Sequence, residues 1–235
     1  MTLVFIPGYM ADEELWASLE AELEDFRPIV HADISKDDSI AQMARRAVAE
    51  APERSVVIGF SLGGYVAREI ARQAPDRVEA LVLVATSSWA DTVDQARRKS
   101  SAVELATRPF KGLSRASIQA SLHSLRRSDD ELISRIRDMG IRLGHDVFLR
   151  QSGLKRESDF ECLGEIRCPT LIVAGEQDQI RCRDEALELH AGIANSTLET
   201  IPNSGHMIPL EQPAALVKVI RSWLGGLKAN LSETT

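Results

Sequence analysis

Several things that would suggest a membrane-bound or secreted protein are scarce in this chain of 235 residues. No apolar run approaches the ~20 residues that a membrane span requires. The three cysteines, Cys162, Cys168 and Cys182, are an odd number without metal-like or disulfide-like spacing. The N-terminus has no positively charged region and runs directly into a predicted strand, so we expect no signal peptide. We therefore predict a cytoplasmic protein with no membrane partner.

Basic blocks of the kind that bind nucleic acid are also missing. The chain has 35 acidic against 28 basic residues and a formal net charge of -7. A nucleic-acid partner is therefore not expected. We predict a small-molecule substrate as the partner, and a homo-oligomer stays open. We predict no cofactor and no metal.

What the chain does contain is an alternation of strand-like and helix-like segments. Short apolar runs predict strands over residues 2–6, 28–32, 55–58, 78–85, 169–174 and 196–201. Helical spacing of apolar residues predicts intervening helices, among them one over residues 12–26 and a last one over residues 214–224, ended by Gly225-Gly226. Strands that alternate with helices favour an α/β fold with a parallel sheet and right-handed crossovers.

Residues 89–160 break this alternation. They contain no strand-like run and predict helices over residues 93–106, 114–125 and 129–143. We interpret this segment, called the insert below, as a helical cap. The predicted division is a first part of the α/β core over residues 1–88, the cap over residues 89–160, and a second part of the core over residues 161–235.

The pattern with the clearest chemistry is Gly59-Phe60-Ser61-Leu62-Gly63, between a predicted strand and a predicted helix. A sharp strand-to-helix turn leaves no room for side chains beside the serine, which gives glycine at 59 and 63 a steric reason. Ser61 would then be exposed at the end of its strand. The alternative is a glycine-rich turn that only packs a helix on the sheet or binds a phosphate, as in dinucleotide-binding folds.

Two residues downstream can activate such a serine, whose hydroxyl needs a base and a group that orients the base. Asp178 and His206 each follow a predicted strand, and the carboxyl ends of parallel strands lie along one edge of a sheet. We therefore expect them to meet Ser61. Alternatively, Asp178 caps a nearby helix and His206 is an ordinary loop histidine. Of the other histidines, we expect His123 to lie solvated in a helix.

Acyl transfer also needs donors for the developing oxyanion. One is the backbone N–H of Leu62, directly after the serine. The loop after the first strand, Pro7-Gly8-Tyr9-Met10, supplies the other: Tyr9 is the first choice and Met10 the second. Alternatively, Pro7-Gly8 forms a simple turn.

These motifs resemble those of the α/β-hydrolase superfamily, in particular its small capped esterases and lactonase-like members. The resemblance rests on four segments in the expected order: Phe5 to Tyr9, Gly59 to Gly64, Cys168 to Asp178, and Ile201 to Met207. It implies Ser61 as nucleophile, His206 as general acid and base, and Asp178 as its orienting partner. It also implies a three-layer sandwich, here with a parallel sheet of about six strands that lacks the opening antiparallel strands. Pro7 departs from the family, which typically has histidine there.

The function expected from this resemblance is hydrolysis of a small ester, thioester or lactone through an acyl-enzyme on Ser61. Two alternatives stay open. One is carbon–carbon bond hydrolysis or cofactor-free perhydrolysis on the same scaffold, and the other is a ligand sensor that retains the three residues with negligible turnover.

Substrate contacts are predicted from position alone. The candidates adjoin the predicted site residues or lie in or beside the insert: Met10, Phe60, Trp89, Phe110, His145 and Met207. The insert is also rich in arginine and lysine, including Arg97, Arg98 and Lys99, within an acidic protein. This suggests an anionic substrate, although exposed arginines are the ordinary surface of a helix.

Overall fold

A computed structural model describes residues 1–104, 106 and 109–232, with side chains up to residue 229. Within these residues, six strands form a single sheet in which every neighbouring pair is parallel. The strands are β1 (Thr2–Ile6), β2 (Ile29–His31), β3 (Ser55–Phe60), β4 (Val78–Val84), β5 (Thr170–Gly175) and β6 (Ser196–Ile201). Their order across the sheet is β2-β1-β3-β4-β5-β6. The predicted α/β fold with a parallel sheet of about six strands is confirmed.

The α-helices of the described chain are α1 (Ala17–Glu22), α2 (Ile40–Glu50), α3 (Leu62–Gln73), α4 (Val93–Glu104), α5 (Arg115–Ser121), α6 (Asp130–Gly153), α7 (Arg183–Gly192), α8 (Ile208–Glu211) and α9 (Pro213–Ser232). Short 3-10 helices cover Glu13–Trp16, Glu24–Phe26, Pro75–Arg77, Ser124–Arg126 and Phe160–Glu165.

The sheet separates two apolar cores because successive side chains of a strand point to opposite faces. In β1, Leu3 and Phe5 belong to one core, while Val4 and Ile6 belong to the other. Helices α2, α3 and α7 contribute to the second core, and α1 and α9 contribute to the first. Because helices cover both faces, β3 is buried along its whole length. Its carboxyl end is therefore held rigidly.

The helix predicted over residues 12–26 is not continuous. A 3-10 turn begins where the Asp12 side chain accepts a hydrogen bond from the Glu14 N–H at 3.1 Å, and α1 starts only at Ala17. The apolar residues that suggested a helix are buried as expected: Leu15 and Trp16 are both fully buried. Periodic burial was predicted correctly, but the spacing of four apolar residues does not distinguish one helix from several short turns.

The expected stop at Gly225-Gly226 is wrong, because α9 continues to Ser232. Leu224 before the glycines is buried, and Leu227 after them packs against the same core. Burial of that apolar face outweighs the roughly 1 kcal/mol that each glycine costs in a helix interior. The sequence also predicts a loose tail after these glycines, which is wrong for residues 227–232 because they belong to α9. Residues 233–235 lie outside the described part of the chain.

The regular elements of the insert are all helices, and no strand occurs among its described residues. The helix predicted to end at residue 143 instead bends at Gly144, which has φ 83°, and continues to Gly153. Glycine adopts this φ without strain. The buried Phe148 anchors the second half of the helix. That residues 89–160 form a separate cap stays a prediction.

Among the described helices, none combines the length and the apolar character needed to cross a membrane. The three cysteines are free thiols. Burial raises the pKa of the Cys168 thiol to about 11, so this thiol is protonated at neutral pH.

Candidate active site

Ser61 occupies the turn between β3 and α3 in a strained backbone conformation, with φ 51° and ψ -110°. Such a conformation costs a non-glycine residue about 1–3 kcal/mol unless its surroundings impose it. The Ser61 N–H donates to the Val84 carbonyl at 2.9 Å, and the Ser61 carbonyl accepts from the Thr86 hydroxyl at 2.7 Å. Both partners lie at or just after the end of the neighbouring strand β4. The sheet edge therefore fixes the position of Ser61.

The glycines around Ser61 are required by close backbone approach. A Cβ on Gly59 would lie 2.3 Å from the Gly63 carbonyl oxygen, and a Cβ on Gly63 would lie 2.3 Å from the Ile6 carbonyl oxygen. Real Cβ atoms do not come this close to a backbone atom. The predicted steric reason for glycine at both positions is confirmed.

The three residues predicted to act together do meet, in one hydrogen-bonded chain. His206 Nε2 lies 2.9 Å from Ser61 Oγ, and His206 Nδ1 lies 2.8 Å from Asp178 Oδ2. The residues come from the turns after β3, β5 and β6, so the parallel sheet alone brings them together. All three are at least nine-tenths buried. With a proton on Nδ1, the histidine is oriented to accept a proton from the serine at Nε2.

Asp178 uses its two oxygens differently. While Oδ2 faces His206, Oδ1 accepts the backbone N–H groups of Ile180 at 2.7 Å and Arg181 at 2.9 Å. The alternative interpretation, that Asp178 caps a helix, is wrong, because the N-cap of α7 is Cys182 and Oδ1 instead caps the turn before it. The turn fixes the carboxylate plane and so aims the other oxygen at the histidine.

Glu211, which sequence reasoning missed, fixes the histidine loop. Its buried carboxylate accepts the N–H of Gly205 at 2.9 Å and the N–H of His123 at 2.6 Å. Burial raises the pKa of Glu211, and the two N–H groups oppose that shift. His206 itself donates its backbone N–H to the Ser121 carbonyl at 2.8 Å. His123 is thus buried rather than solvated, because it closes this junction between the insert and the loop.

The loop after β1 leaves one of its two candidate oxyanion donors available. The Met10 N–H already donates to Gln151 Oε1 of α6 at 2.8 Å. For the Tyr9 N–H, no acceptor is found among the described residues. Leu62 is the first residue of α3, so its N–H has no acceptor within the helix. Tyr9 and Leu62 line the same cavity as Ser61.

That cavity has a volume of about 310 Å³ and lies over Ser61 and His206. Of the predicted substrate contacts, Met10, Phe60 and Met207 line it. Further apolar lining comes from the insert: Leu113, Ile118, Ile136, Met139 and Leu154. The cavity therefore suits a small substrate with an apolar portion.

The other three predicted contacts, Trp89, Phe110 and His145, are not among the described residues that line this cavity. The Trp89 indole N–H donates to the Glu188 carboxylate, and its side chain is partly exposed. Phe110 stacks against Phe148, with 4.8 Å between ring centroids, and contacts His145 at 6.4 Å. These corrections arise because position within a segment does not reveal which side chains face the cavity.

Several polar residues that the sequence did not single out also line the cavity, among them Gln95, Ser117, Ser121 and Gln151. Arg156, just after α6, lines it too, as do Gln179 and Arg181 in the loop that follows Asp178. Closeness to Asp178 in sequence was the one available signal for the latter two.

A model of the alpha/beta hydrolase fold matches residues 25–213, a range that includes Ser61, Asp178 and His206. Two curated relatives are similar in sequence. A putative 2-succinyl-6-hydroxy-2,4-cyclohexadiene-1-carboxylate synthase of Bacillus subtilis (strain 168) is 25% identical over 94% of this chain and 89% of its own length. A pimeloyl-(acyl-carrier protein) methyl ester esterase of Pectobacterium carotovorum is 36% identical over 36% of each chain.

Among solved structures, a thermophilic esterase from Thermogutta terrifontis with malate bound superimposes with a TM-score of 0.81. The match covers 96% of this chain and 90% of the esterase, at 24% identity. At that identity the likeness shows a shared fold.

Proposed function

The chain belongs to the alpha/beta hydrolase fold family, and we propose that it is a serine hydrolase that cleaves a small ester, thioester or lactone through an acyl-enzyme on Ser61. The observation that carries the proposal is the hydrogen-bonded chain from Ser61 through His206 to Asp178, at 2.9 and 2.8 Å. Nucleophilic catalysis needs a serine with a base in reach and a third group that orients the base. The esterase relative from Pectobacterium supports the same reaction class.

In the first half of the reaction, Ser61 Oγ attacks the carbonyl carbon while its proton passes to His206 Nε2. The tetrahedral intermediate then collapses: the bond to the leaving oxygen or sulfur breaks, and His206 returns the proton to that atom. In the second half, a water molecule attacks the acyl-enzyme carbonyl and gives its proton to His206. Breakdown of this second intermediate releases the acid, and His206 returns the proton to Ser61.

Asp178 acts through the histidine. Its Oδ2 accepts the Nδ1 proton, which keeps Nε2 facing Ser61 and stabilises the imidazolium that forms during attack. Comparable partners in serine proteases account for about 10⁴ in kcat.

The developing oxyanion is stabilised by the N–H groups of Leu62 and Tyr9. Both lack protein acceptors among the described residues, so they can donate to a substrate oxygen without first breaking a bond. One such donor contributes about 10²–10³ in kcat.

The proposal is tested by hydrolysis of short-chain nitrophenyl esters, together with labelling by a fluorescent fluorophosphonate. Wild-type protein should hydrolyse the esters and become labelled, whereas Ser61→Ala should do neither. Ser101→Ala changes an exposed serine of α4 and serves as the matched control. A wild-type protein that stays unlabelled beside a known serine esterase contradicts the proposal.

A second candidate is a non-hydrolytic reaction in which Ser61 and His206 act as a base. The observation in its favour is that the Bacillus relative, matched over 94% of this chain, is a putative synthase. The two candidates differ in whether an acyl group becomes attached to Ser61.

A further inference from the structure

The cavity over Ser61 carries a marked excess of positive charge. Arg98, Lys99, Arg156 and Arg181 line it, and none of the described lining residues is Asp or Glu. The protein as a whole has a net charge of -7. A positive cavity in an acidic protein is therefore a local feature rather than a consequence of overall composition.

The four cations form one group, called the basic cluster below. Lys99 Nζ and Arg156 Nε donate to the two oxygens of Asp91 at 2.7 and 2.8 Å. The guanidinium groups of Arg156 and Arg181 lie 5.7 and 5.9 Å from the centre of the Tyr65 ring. Arg98 directly precedes Lys99 on α4. All four line the same cavity, so a molecule bound there lies beside the basic cluster.

The acidic groups that pair with the basic cluster do not balance it. Asp91 serves both Lys99 and Arg156, and Glu185 accepts one N–H of Arg181 at 3.1 Å. Among the described residues, Arg98 has no acidic partner. Four cations thus face two carboxylates.

Arg181 is the most deeply buried member of the basic cluster, and one of its donors is unpaired among the described residues. Its side chain is more than nine-tenths buried, and its Nε–H has no hydrogen-bond acceptor in the described structure. A buried charged donor without an acceptor is costly. The burial of Lys99, with the charges of Arg156 and Arg181 nearby, lowers the pKa of its ammonium group, which agrees with an excess of positive potential at this place.

Other basic residues of the insert behave differently. Arg115 pairs with Asp130, Arg126 with Asp129 and Arg142 with Asp12, and none of these arginines lines the cavity. The ordinary helix-surface interpretation therefore fits these arginines and does not fit the basic cluster.

Resting on the proposed hydrolase function, we propose that the basic cluster binds an anionic substituent, a carboxylate or a phosphate-like group, of the ester or lactone that Ser61 attacks. The apolar lining from α5 and α6 would hold the carbon chain between that substituent and the scissile bond. Arginine suits this role because its planar donors match the oxygens of both anions.

The test compares three methyl esters with acyl chains of similar length, assayed by acid release. Methyl hexanoate is neutral, monomethyl adipate carries a terminal carboxylate, and methyl 5-phosphonopentanoate carries a terminal phosphonate. We expect one or both anionic esters to have a kcat/KM at least about tenfold above that of the neutral ester, the scale of a charge-assisted hydrogen bond. The preferred anion identifies the substituent.

Two variants assign the preference to the basic cluster. Arg98→Gln changes an exposed side chain without an acidic partner among the described residues, so folding should be intact. It should lower the ratio of anionic to neutral kcat/KM about tenfold. Arg97→Gln is the matched control on the same helix, because Arg97 does not line the cavity, and it should leave the ratio unchanged. Added salt should reduce the ratio in the wild type.

Equal kcat/KM for all three esters in the wild type would overturn this proposal and leave the serine hydrolase function standing. If none of the three methyl esters is hydrolysed, fluorophosphonate labelling of Ser61 decides the hydrolase function separately. In that case, calorimetric binding of adipate and of hexanoate to Ser61→Ala protein decides the present proposal. Tighter binding of adipate supports it, and equal or absent binding overturns it.

Discussion

The strand-end turns and the insert differ in how their side chains are held. In the turns after β3, β5 and β6, backbone atoms fix each candidate residue, as in the carbonyls and N–H groups that position Ser61 and Asp178. In the insert, side-chain ion pairs such as that of Lys99 with Asp91 hold the cations. Backbone contacts tolerate little change, whereas ion pairs can be rearranged by small substitutions. The proposed chemistry therefore resides in the rigid region, and the proposed substrate preference resides mainly in the adaptable one, with Arg181 of the turn after β5 as the exception.

The largest effects should follow from changes to the turns. His206→Ala and Asp178→Asn should each lower kcat by about 10⁴-fold or more, because Ser61 loses its base or the base loses its orientation. His190→Ala, an exposed histidine of α7, is the control. Adding His206→Ala to Ser61→Ala should cost almost nothing further, since the residues act as a unit. If the losses in kcat from Ser61→Ala and His206→Ala were fully additive, the two residues would not act as a unit.

A glycine exchange in each region should separate rigid from adaptable backbone. Gly63→Ala would place a Cβ 2.3 Å from the Ile6 carbonyl oxygen, so the free energy of unfolding should fall by about 3 kcal/mol or more. Gly153→Ala, at the end of α6, meets no atom within 4 Å and should change it by less than about 1 kcal/mol. Urea unfolding followed by tryptophan fluorescence measures both. A similar loss of unfolding free energy in both variants would contradict the proposed difference in rigidity between the turns and the insert.

Glu211 joins the two regions, and its stability contribution should depend on pH. Burial raises its pKa above the ordinary 4.5, so the folded protein binds this proton more tightly than the unfolded chain. The stabilisation is therefore fully present below pH 4.5 and is lost as pH rises through the folded pKa. Urea unfolding of the wild type and of Glu211→Gln, from below pH 4.5 to neutral pH, measures this effect. The difference in free energy of unfolding between the two proteins should shift against the wild type as pH rises. A relative advantage that grows as pH rises would contradict the assignment.

The smallest effect should come from an ion pair between the insert and the core. Arg142 contacts both oxygens of Asp12, at 2.7 and 2.9 Å, but its side chain is half exposed. Arg142→Gln should therefore reduce the free energy of unfolding by about 0.2–1 kcal/mol. Lys155→Gln, an exposed cation without an acidic partner among the described residues, should have no effect. A loss of several kcal/mol for Arg142→Gln would show that the insert is held as rigidly as the turns.

The sequence predicted the sheet and the meeting of Ser61, Asp178 and His206 because both depend on local patterns. Each strand is a short apolar run, and each site residue lies soon after a strand. Because the strands are parallel, their carboxyl ends bring these residues together at one edge of the sheet. Glu211 and Gln151 escaped notice because their roles depend on distant partners. Gln151, for example, accepts the Met10 N–H across 141 residues.

The insert was the least predictable region for the same reason. Trp89, Phe110 and His145 were chosen by position, and the structure shows that each packs elsewhere. Which side chains of the insert face a cavity depends on how its helices and loops pack against the rest of the protein. No spacing within the insert itself encodes that.

The central claim, an acyl-enzyme on Ser61, is tested most directly by mass spectrometry of protein quenched during turnover of an ester with a bulky acyl group that deacylates slowly, such as nitrophenyl trimethylacetate. The account predicts an adduct of the acyl mass on the peptide that contains Ser61 in wild type, and no adduct in Ser61→Ala. Steady release of nitrophenol with no acyl group on that peptide would contradict it.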